Sequence, residues 1–153
     1  MFERCVERAL DAAPVSADAS LPERMCAFIG ANYSDASIKA GHVSQALGIG
    51  RNELRREVKN YLGMSLEDFL RVVRVRAAAR MLRAGGCTVA EVAYASGFST
   101  PQYMAMVFKD IIGCTPSDYS EKAGGGIRRG LPCGFNLLIL HQCRYRYEWF
   151  ESI

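Results

Sequence analysis

GFSTPQYMAMVFKDIIGCTPSDY, from Gly97 to Tyr119, is the stretch whose reading decides the fold. A Gly-Phe turn leads into Ser99-Thr100-Pro101, where a hydroxyl can cap a helix and proline takes a position whose N–H has no partner inside it. Apolar side chains follow at Met104, Val107, Phe108 and Ile111, the three-and-four spacing of a helix with one buried stripe. Gly113 stops that helix, and Thr115-Pro116 opens another short turn. Upstream, Thr88-Val89-Ala90-Glu91 has the form of a capping box and is followed by Val92, Ala93 and Ala95 on one helical face. A helix, a tight turn at Ser96-Gly97-Phe98 and a second helix give the outline of a helix-turn-helix.

A similar pattern occurs earlier in the chain. Val43, Ala46 and Leu47 form a short apolar face, Gly48-Ile49-Gly50 makes the turn, and RNELRREVKNYLG carries the next helix. The two endings, EVKNYLGMSLEDF and VFKDIIGCTPSDY, match in their Lys, their Gly, the Ser or Thr two residues beyond it, and the closing Asp-aromatic pair. This is an internal repeat of about 50 residues, longer than solenoid repeats and present twice, so it reads as a duplication.

With these residues in view, the chain from Leu21 to about residue 120 resembles the DNA-binding domain of the AraC/XylS family of bacterial transcription regulators. The resemblance rests on Leu47-Gly48, Leu54, Arg56, Lys59 and Gly63 in the first unit and on Phe69, Leu70, Arg74, Arg76 and Ala78 to Leu82 in the linking helix. In the second unit it rests on Val89, Glu91, Val92, Ala93, Gly97-Phe98, Phe108-Lys109, Gly113 and Thr115-Pro116. The lead-in FIGANYSDASI is most similar to the output domains of hybrid two-component regulators. The resemblance implies an all-α fold of about seven helices, homeodomain-like, with two helix-turn-helix units joined by a long central helix. It divides the chain into 1–20, an N-terminal linker or stub; 21–120, the double helix-turn-helix; and 121–153, a Gly-rich linker and tail of unknown role.

Helix faces carry the functional expectations. In the first unit, Leu54, Val58 and Leu62 are spaced by four and should face the core, leaving Arg51, Asn52, Arg55, Arg56 and Lys59 outward. Arg can bind guanine, and Asn adenine, through two parallel hydrogen bonds in the major groove. Lys59, near the helix end, suits a phosphate. In the resembled family the positions of Asn52, Arg55 and Arg56 are those that reach bases. Glu53 and Glu57 should point away from DNA or pair with the neighbouring Arg55 and Arg56. The second unit offers Thr100, Gln102, Tyr103, Met106 and Lys109. Met106 stands where the family commonly has Arg, so this half-site should be read weakly and specificity should concentrate in the first unit.

Elsewhere, Met25, Phe28 and Ile29 form the stripe of the first firm helix, which starts at Ser20 and ends around Asn32 to Asp35. The helix after it is the weakest: Lys39 is a poor cap, and Gly41 costs about 1 kcal/mol relative to Ala. Ser65-Leu66-Glu67-Asp68 starts a long helix to about Arg83, with Leu66, Phe69, Leu70, Val73, Ala77 and Met81 buried. Its ~19 residues span roughly 28 Å, against about 34 Å for one turn of B-DNA. That length lets two recognition helices occupy successive major grooves and implies monomeric binding to a site of about 20 base pairs. Of Arg71, Arg74, Arg76, Arg80 and Arg83, some should brace the helices through carboxylates and one or two should touch phosphate.

Charge is unevenly distributed. Residues 1–38 hold three basic against six acidic residues, residues 39–123 hold twelve against eight, and the remainder four against two, within a formal net charge of +3. The positive surplus therefore lies in the double motif and the tail, as DNA binding asks. Cys5, Cys26, Cys87, Cys114, Cys133 and Cys143 are scattered, without a C-x-x-C pair or a His to complete a zinc set, and read as reduced structural thiols. No metal or cofactor is expected. The start MFERCVERALDAAP has acids and no long apolar core, so it does not read as a secretory signal, and the expected location is cytoplasmic. In the tail, Arg144-Tyr145-Arg146-Tyr147 interleaves cations with aromatics, a pattern that suits stacking on nucleic acid, but packing on the domain, a partner contact or a tail not shaped by selection are the stronger readings. The Leu137-Leu138-Ile139-Leu140 run would promote aggregation if it stayed uncovered. His42 and His141 stand far apart without a catalytic constellation, so no enzyme is expected.

The function these readings support is sequence-specific binding of duplex DNA and regulation of transcription, with RNA polymerase as a further partner. The alternative is a non-binding protein-interaction module, or a defective fragment of a larger regulator.

Overall fold

The computed structural model describes residues 2–11 and 18–124. Among these residues there are eight α-helices and no strand: α1 (Phe2–Leu10), α2 (Leu21–Asn32), α3 (Ala40–Leu47), α4 (Arg51–Leu62), α5 (Leu66–Ala84), α6 (Val89–Ala95), α7 (Pro101–Ile112) and α8 (Pro116–Gly124). The all-helical fold of the sequence reading is therefore observed. The helix beyond the expected seven is α1, within the lead-in 1–20. The chain divides into two compact units, with α5 contributing its first residues to one and its last to the other.

The first unit holds α1 to α4 and α5 up to Val73. Its core joins Val6 and Ala9 of α1, Met25 and Ile29 of α2, Val43 and Leu47 of α3, Leu54, Val58 and Leu62 of α4, and Phe69 and Val73 of α5. Phe28 is only partly buried, whereas Cys26 and Gly30 are buried, so the stripe of α2 lies to one side of the expected one. The reason is α1. Gly30 lies against α1 so closely that a Cβ there would sit 2.0 Å from the carbonyl oxygen of Ala9, which makes hydrogen the only side chain that fits. Arg24 reaches from α2 to the C-terminus of α3, donating from Nη2 to the Leu47 carbonyl at 3.2 Å, where a cation complements the helix dipole. On α3, Ala46 is exposed and Ser44 buried, the Ser44 hydroxyl donating to the Gly41 carbonyl at 3.0 Å.

Among the described residues, the second unit holds Ser34–Ala36 and the chain from Arg74 to Gly124. Buried here are Val75, Ala77, Ala78, Ala79 and Leu82 of α5, Val92 and Ala93 of α6, Phe98 of the turn, and Met104, Val107, Phe108 and Ile112 of α7. Two stripes differ from the sequence expectation by one residue. Met81 is partly exposed and Leu82 buried; Ile111 is partly exposed and Ile112 buried. On α5 the cause is that burial goes almost all round the helix between Val73 and Ala79, so no single stripe describes it. Ala95, expected on the apolar face of α6, is exposed. Phe108 meets Tyr119 of α8 edge to face at 5.4 Å.

Carboxylates and neutral oxygens both serve the arginines of α5. Arg74 donates to the Asp35 carbonyl at 2.7 Å, Arg83 is hydrogen-bonded to the Tyr119 hydroxyl, and Arg71 pairs with Asp68 at 3.0 Å as expected. α8 continues through Glu121 and Lys122 to Gly124, where a Gly-rich linker was expected to begin. Gly125 and Gly126, Arg128 and Arg129, the Leu137–Leu140 run, the Arg144–Tyr147 stretch, Cys133, Cys143 and His141 lie outside the described residues.

Candidate nucleic-acid interface

The two helix-turn-helix turns are built alike. In the first, the Gly48 N–H donates to the Gln45 carbonyl at 3.2 Å and the Ile49 N–H to Ser44 at 3.1 Å; in the second, Gly97 donates to Tyr94 at 3.1 Å and Phe98 to Ala93 at 2.9 Å. Gly48 and Gly97 are left-handed, with φ of 71° and 85°, a region that costs most side chains dearly. Both second helices also end on one pattern, Gly63 donating to Lys59 and Gly113 to Lys109, each at 2.9 Å. The repeat seen in the sequence is thus a repeat of backbone hydrogen bonds. Turn geometry of this kind sets the angle at which the second helix of each pair leaves the first.

On α4, Leu54, Val58 and Leu62 are buried to within 2 % of complete, so the opposite surface is fixed. Arg51, Asn52, Arg55, Arg56 and Lys59 are all exposed. Asn52, Arg55, Arg56 and Lys59 stand at three-and-four spacing and line one face. Arg56 lies 3.5 Å from Glu57, a solvent-exposed contact worth little and easily exchanged for another partner. Arg51 is placed differently: its guanidinium lies over Gly41 of α3, with Nη2 3.0 Å from where a Cβ would be. The glycine that weakens α3 is therefore also the seat of an arginine.

On α7, Thr100 caps the helix by accepting the Tyr103 N–H at 3.2 Å. Gln102, Met106 and Lys109 are exposed on the side away from Met104, Val107 and Phe108. Tyr103 is half-buried, its ring packed edge to face on Phe98 at 5.9 Å. Met106 is 55 % exposed, as an apolar side chain in this position must be if it serves a groove or a partner. Tyr94 on α6, 59 % exposed, was not among the residues singled out from the sequence. The signal for it was a lone large aromatic between Ala93 and Ala95, one step off the buried face.

The caps of the two units differ in kind. Glu91 accepts from the Thr88 N–H at 2.7 Å and the Thr88 hydroxyl at 2.8 Å, and these bonds hold its carboxyl below the ordinary range. At the start of α3, Lys39 supplies no capping oxygen, and the His42 Nδ1 accepts the Lys39 N–H at 3.1 Å instead. Gly50 begins α4 with no side-chain cap. No group of His, Cys, Asp and Glu that could hold a metal occurs among the described residues, and no helix there is long and apolar enough to cross a membrane.

These features define a protein of the double helix-turn-helix class, each unit presenting the outer face of its second helix. A family model described as a helix-turn-helix domain matches residues 43–122. The chain belongs to the AraC/XylS family of helix-turn-helix regulator domains. Among curated relatives, it is 24% identical over 107 residues to the histidine kinase P4 of Formosa agariphila, covering 70% of this chain and 8% of that protein. It is 29% identical over 82 residues to the HTH-type transcriptional regulator GlxA of Rhizobium meliloti, covering 54% of this chain and 25% of the relative. The chain thus spans a quarter or less of these relatives' length. Its fold is shared with the C-terminal domain of AraT, a response regulator from Geobacillus stearothermophilus, at a TM-score of 0.66 and 24% identity, over 74% of this chain and 93% of that one. It is also shared with the DNA-binding domain of AdpA, solved in complex with a target DNA, at a TM-score of 0.62 and 22% identity, over 67% and 90% of the two chains.

Proposed function

We propose that the chain binds duplex DNA sequence-specifically and regulates transcription, with α4 as the principal reading helix. The observation that carries this reading is the exposed face of Asn52, Arg55, Arg56 and Lys59, opposite the fully buried Leu54, Val58 and Leu62. A major groove about 12 Å wide admits a helix, and bidentate Arg and Asn contacts discriminate bases there. In this reading Arg55 and Arg56 take guanine, Asn52 takes adenine, and Arg51 and Lys59 hold phosphates. On the second helix, Met106 touches a thymine methyl, Gln102 takes adenine, Thr100 and Tyr103 sit at the helix start beside the backbone, and Lys109 takes a phosphate. Residues 21–120 form the binding domain, with a lead-in at 1–20 and a tail at 121–153. It binds as a monomer, its two recognition helices in successive major grooves. RNA polymerase is the further partner through which regulation acts.

Selection of bound duplexes from a random library of about 25 base pairs, at two salt concentrations, tests this. Enrichment of a bipartite site, its stronger half depending on Arg55 and Arg56, is expected. A steep salt slope without enrichment would mean that the fold grips phosphate and reads nothing. The exposed Tyr94 and Met106 favour a second reading, a protein-interaction module, and absence of binding at low salt would decide for it.

A further inference from the structure

The first unit contains a thiol cluster that DNA reading does not use. Cys5 of α1 and Cys26 of α2 are both buried, at 5 % and 0 % exposure, and both are free thiols. They belong to the core cluster against which Tyr61 of α4 also packs. The Cys26 thiol and the Tyr61 hydroxyl both lie near enough to Cys5 to perturb its ionisation. Cys5 lies one helical turn before Ala9, and Cys26 one turn before Gly30, the two residues at which α1 and α2 meet. Cys87 and Cys114 lie in the other unit, the first exposed and the second buried.

We propose that Cys5 and Cys26 form a reversible disulfide that latches α1 onto α2. The neighbouring Cys26 makes the largest contribution to drawing the Cys5 thiol down to about 7, Tyr61 and Arg8 adding to it against the opposing effect of burial. The Cys26 thiol is pushed up by the same pairing and by burial. Cys5 is thus the attacking thiolate and Cys26 the resolving thiol. The oxidant is a low-molecular-weight disulfide. The Cys5 thiolate attacks one of its sulfurs, the S–S bond breaks, and one small thiolate leaves and takes up a proton. Cys26 then loses its proton and attacks the Cys5 sulfur of the mixed disulfide, releasing the second small thiol. The pair gives up two electrons and two protons, and the small disulfide gains them.

Access to the pair comes from α1 itself. At nine residues it is shorter than a helix that holds its shape alone, so a local opening of α1 would expose both thiols. Oxidation would convert this packing contact into a covalent one. The same core seats Leu54, Val58 and Leu62, so the latch bears on the footing of α4.

The test uses the full chain, equilibrated in mixtures of glutathione and glutathione disulfide, quenched, alkylated and mapped by mass spectrometry. The expected result is a peptide pair joined through Cys5 and Cys26, together with amide exchange in α1 slowed by about tenfold or more. In Cys26→Ala a glutathione adduct should persist on Cys5, because nothing resolves it. If Cys5 and Cys26 both stay open to alkylation while the exposed Cys87 becomes glutathionylated, the proposal fails. Crosslinks that join Cys5 only to other cysteines overturn it as well. None of these measurements involves DNA, so the outcome is independent of the proposed base contacts.

Discussion

The two helix-turn-helix units share turn geometry and differ in how each second helix is held and what it shows. α7 starts on a threonine cap followed by proline, and its partner α6 starts on a complete capping box. α4 starts on an uncapped glycine, and α3 on a lysine. The exposed chemistry runs the other way. α4 presents three arginines, an asparagine and a lysine, whereas α7 presents glutamine, methionine and one lysine. Local helix signals and reading chemistry have therefore separated between the copies. A capped helix needs less from its surroundings; α4 draws on the packing of Leu54, Val58 and Leu62 and on the Arg24 contact that closes α3.

Removing base contacts should break this comparison most sharply. Arg55→Ala or Arg56→Ala is expected to cost about 1–3 kcal/mol on the selected site and to relax base preference there. Gln102→Ala and Met106→Ala should each cost less than about 1 kcal/mol, since neither removes a bidentate contact to guanine. Lys109→Ala should weaken all sequences alike and reduce the salt slope by about one. Competition binding with single-base variants of the site measures each difference. Equal losses from the two helices would show that reading is shared, and loss of preference confined to α7 variants would reverse the assignment.

Caps give the next largest contrast. Thr100→Ala removes the oxygen that accepts the Tyr103 N–H and should destabilise the chain by about 1 kcal/mol. Gly50→Ser supplies an oxygen where α4 has none and should stabilise by a few tenths of a kcal/mol. Denaturant unfolding gives both signs. A gain at Gly50 as large as the loss at Thr100 would mean that α4 is limited by its cap and not by its packing.

How much of this was legible in the sequence follows from which interactions are local. The turns, the caps at Thr88 and Thr100, the stop at Gly113 and the faces of α4 and α7 depend on residues a few positions apart, and the chain spells them out. The one-residue shifts at Met81 and Ile111 have a different origin: which of two adjacent apolar residues goes inward is decided by what packs opposite. Docking of α1 was less legible still. Val6, Ala9 and Leu10 announce an amphipathic helix, but its seat depends on Gly30 having no side chain, and nothing near Ala9 says so. The Cys5–Cys26 pairing is hidden for the same reason, since twenty residues of chain separate two thiols that only tertiary packing joins. On the reading face, residue types were visible and their occupation was not: the packing of Tyr103 on Phe98 and of Arg51 over Gly41 are contacts between helices or across a turn.

Gly41 asks the most of the comparison. From the sequence it is a weak point, because glycine inside a helix costs about 1 kcal/mol relative to alanine. In the structure it is also the surface on which the Arg51 guanidinium rests, with Nη2 3.0 Å and Cζ 3.4 Å from the position of an added Cβ. That contact involves the free end of an exposed side chain, which can swing aside at little cost. Gly41→Ala should therefore stabilise α3 by somewhat less than about 1 kcal/mol, with Arg51 displaced outward. Thermal unfolding and amide exchange in α3 give the sign. A gain in stability with unchanged DNA affinity would identify the Arg51 position as incidental and bring the first unit closer to the second in local helix strength. A loss would mean that the guanidinium seated on α3 helps to hold the first turn together, substituting for the cap that Gly50 lacks.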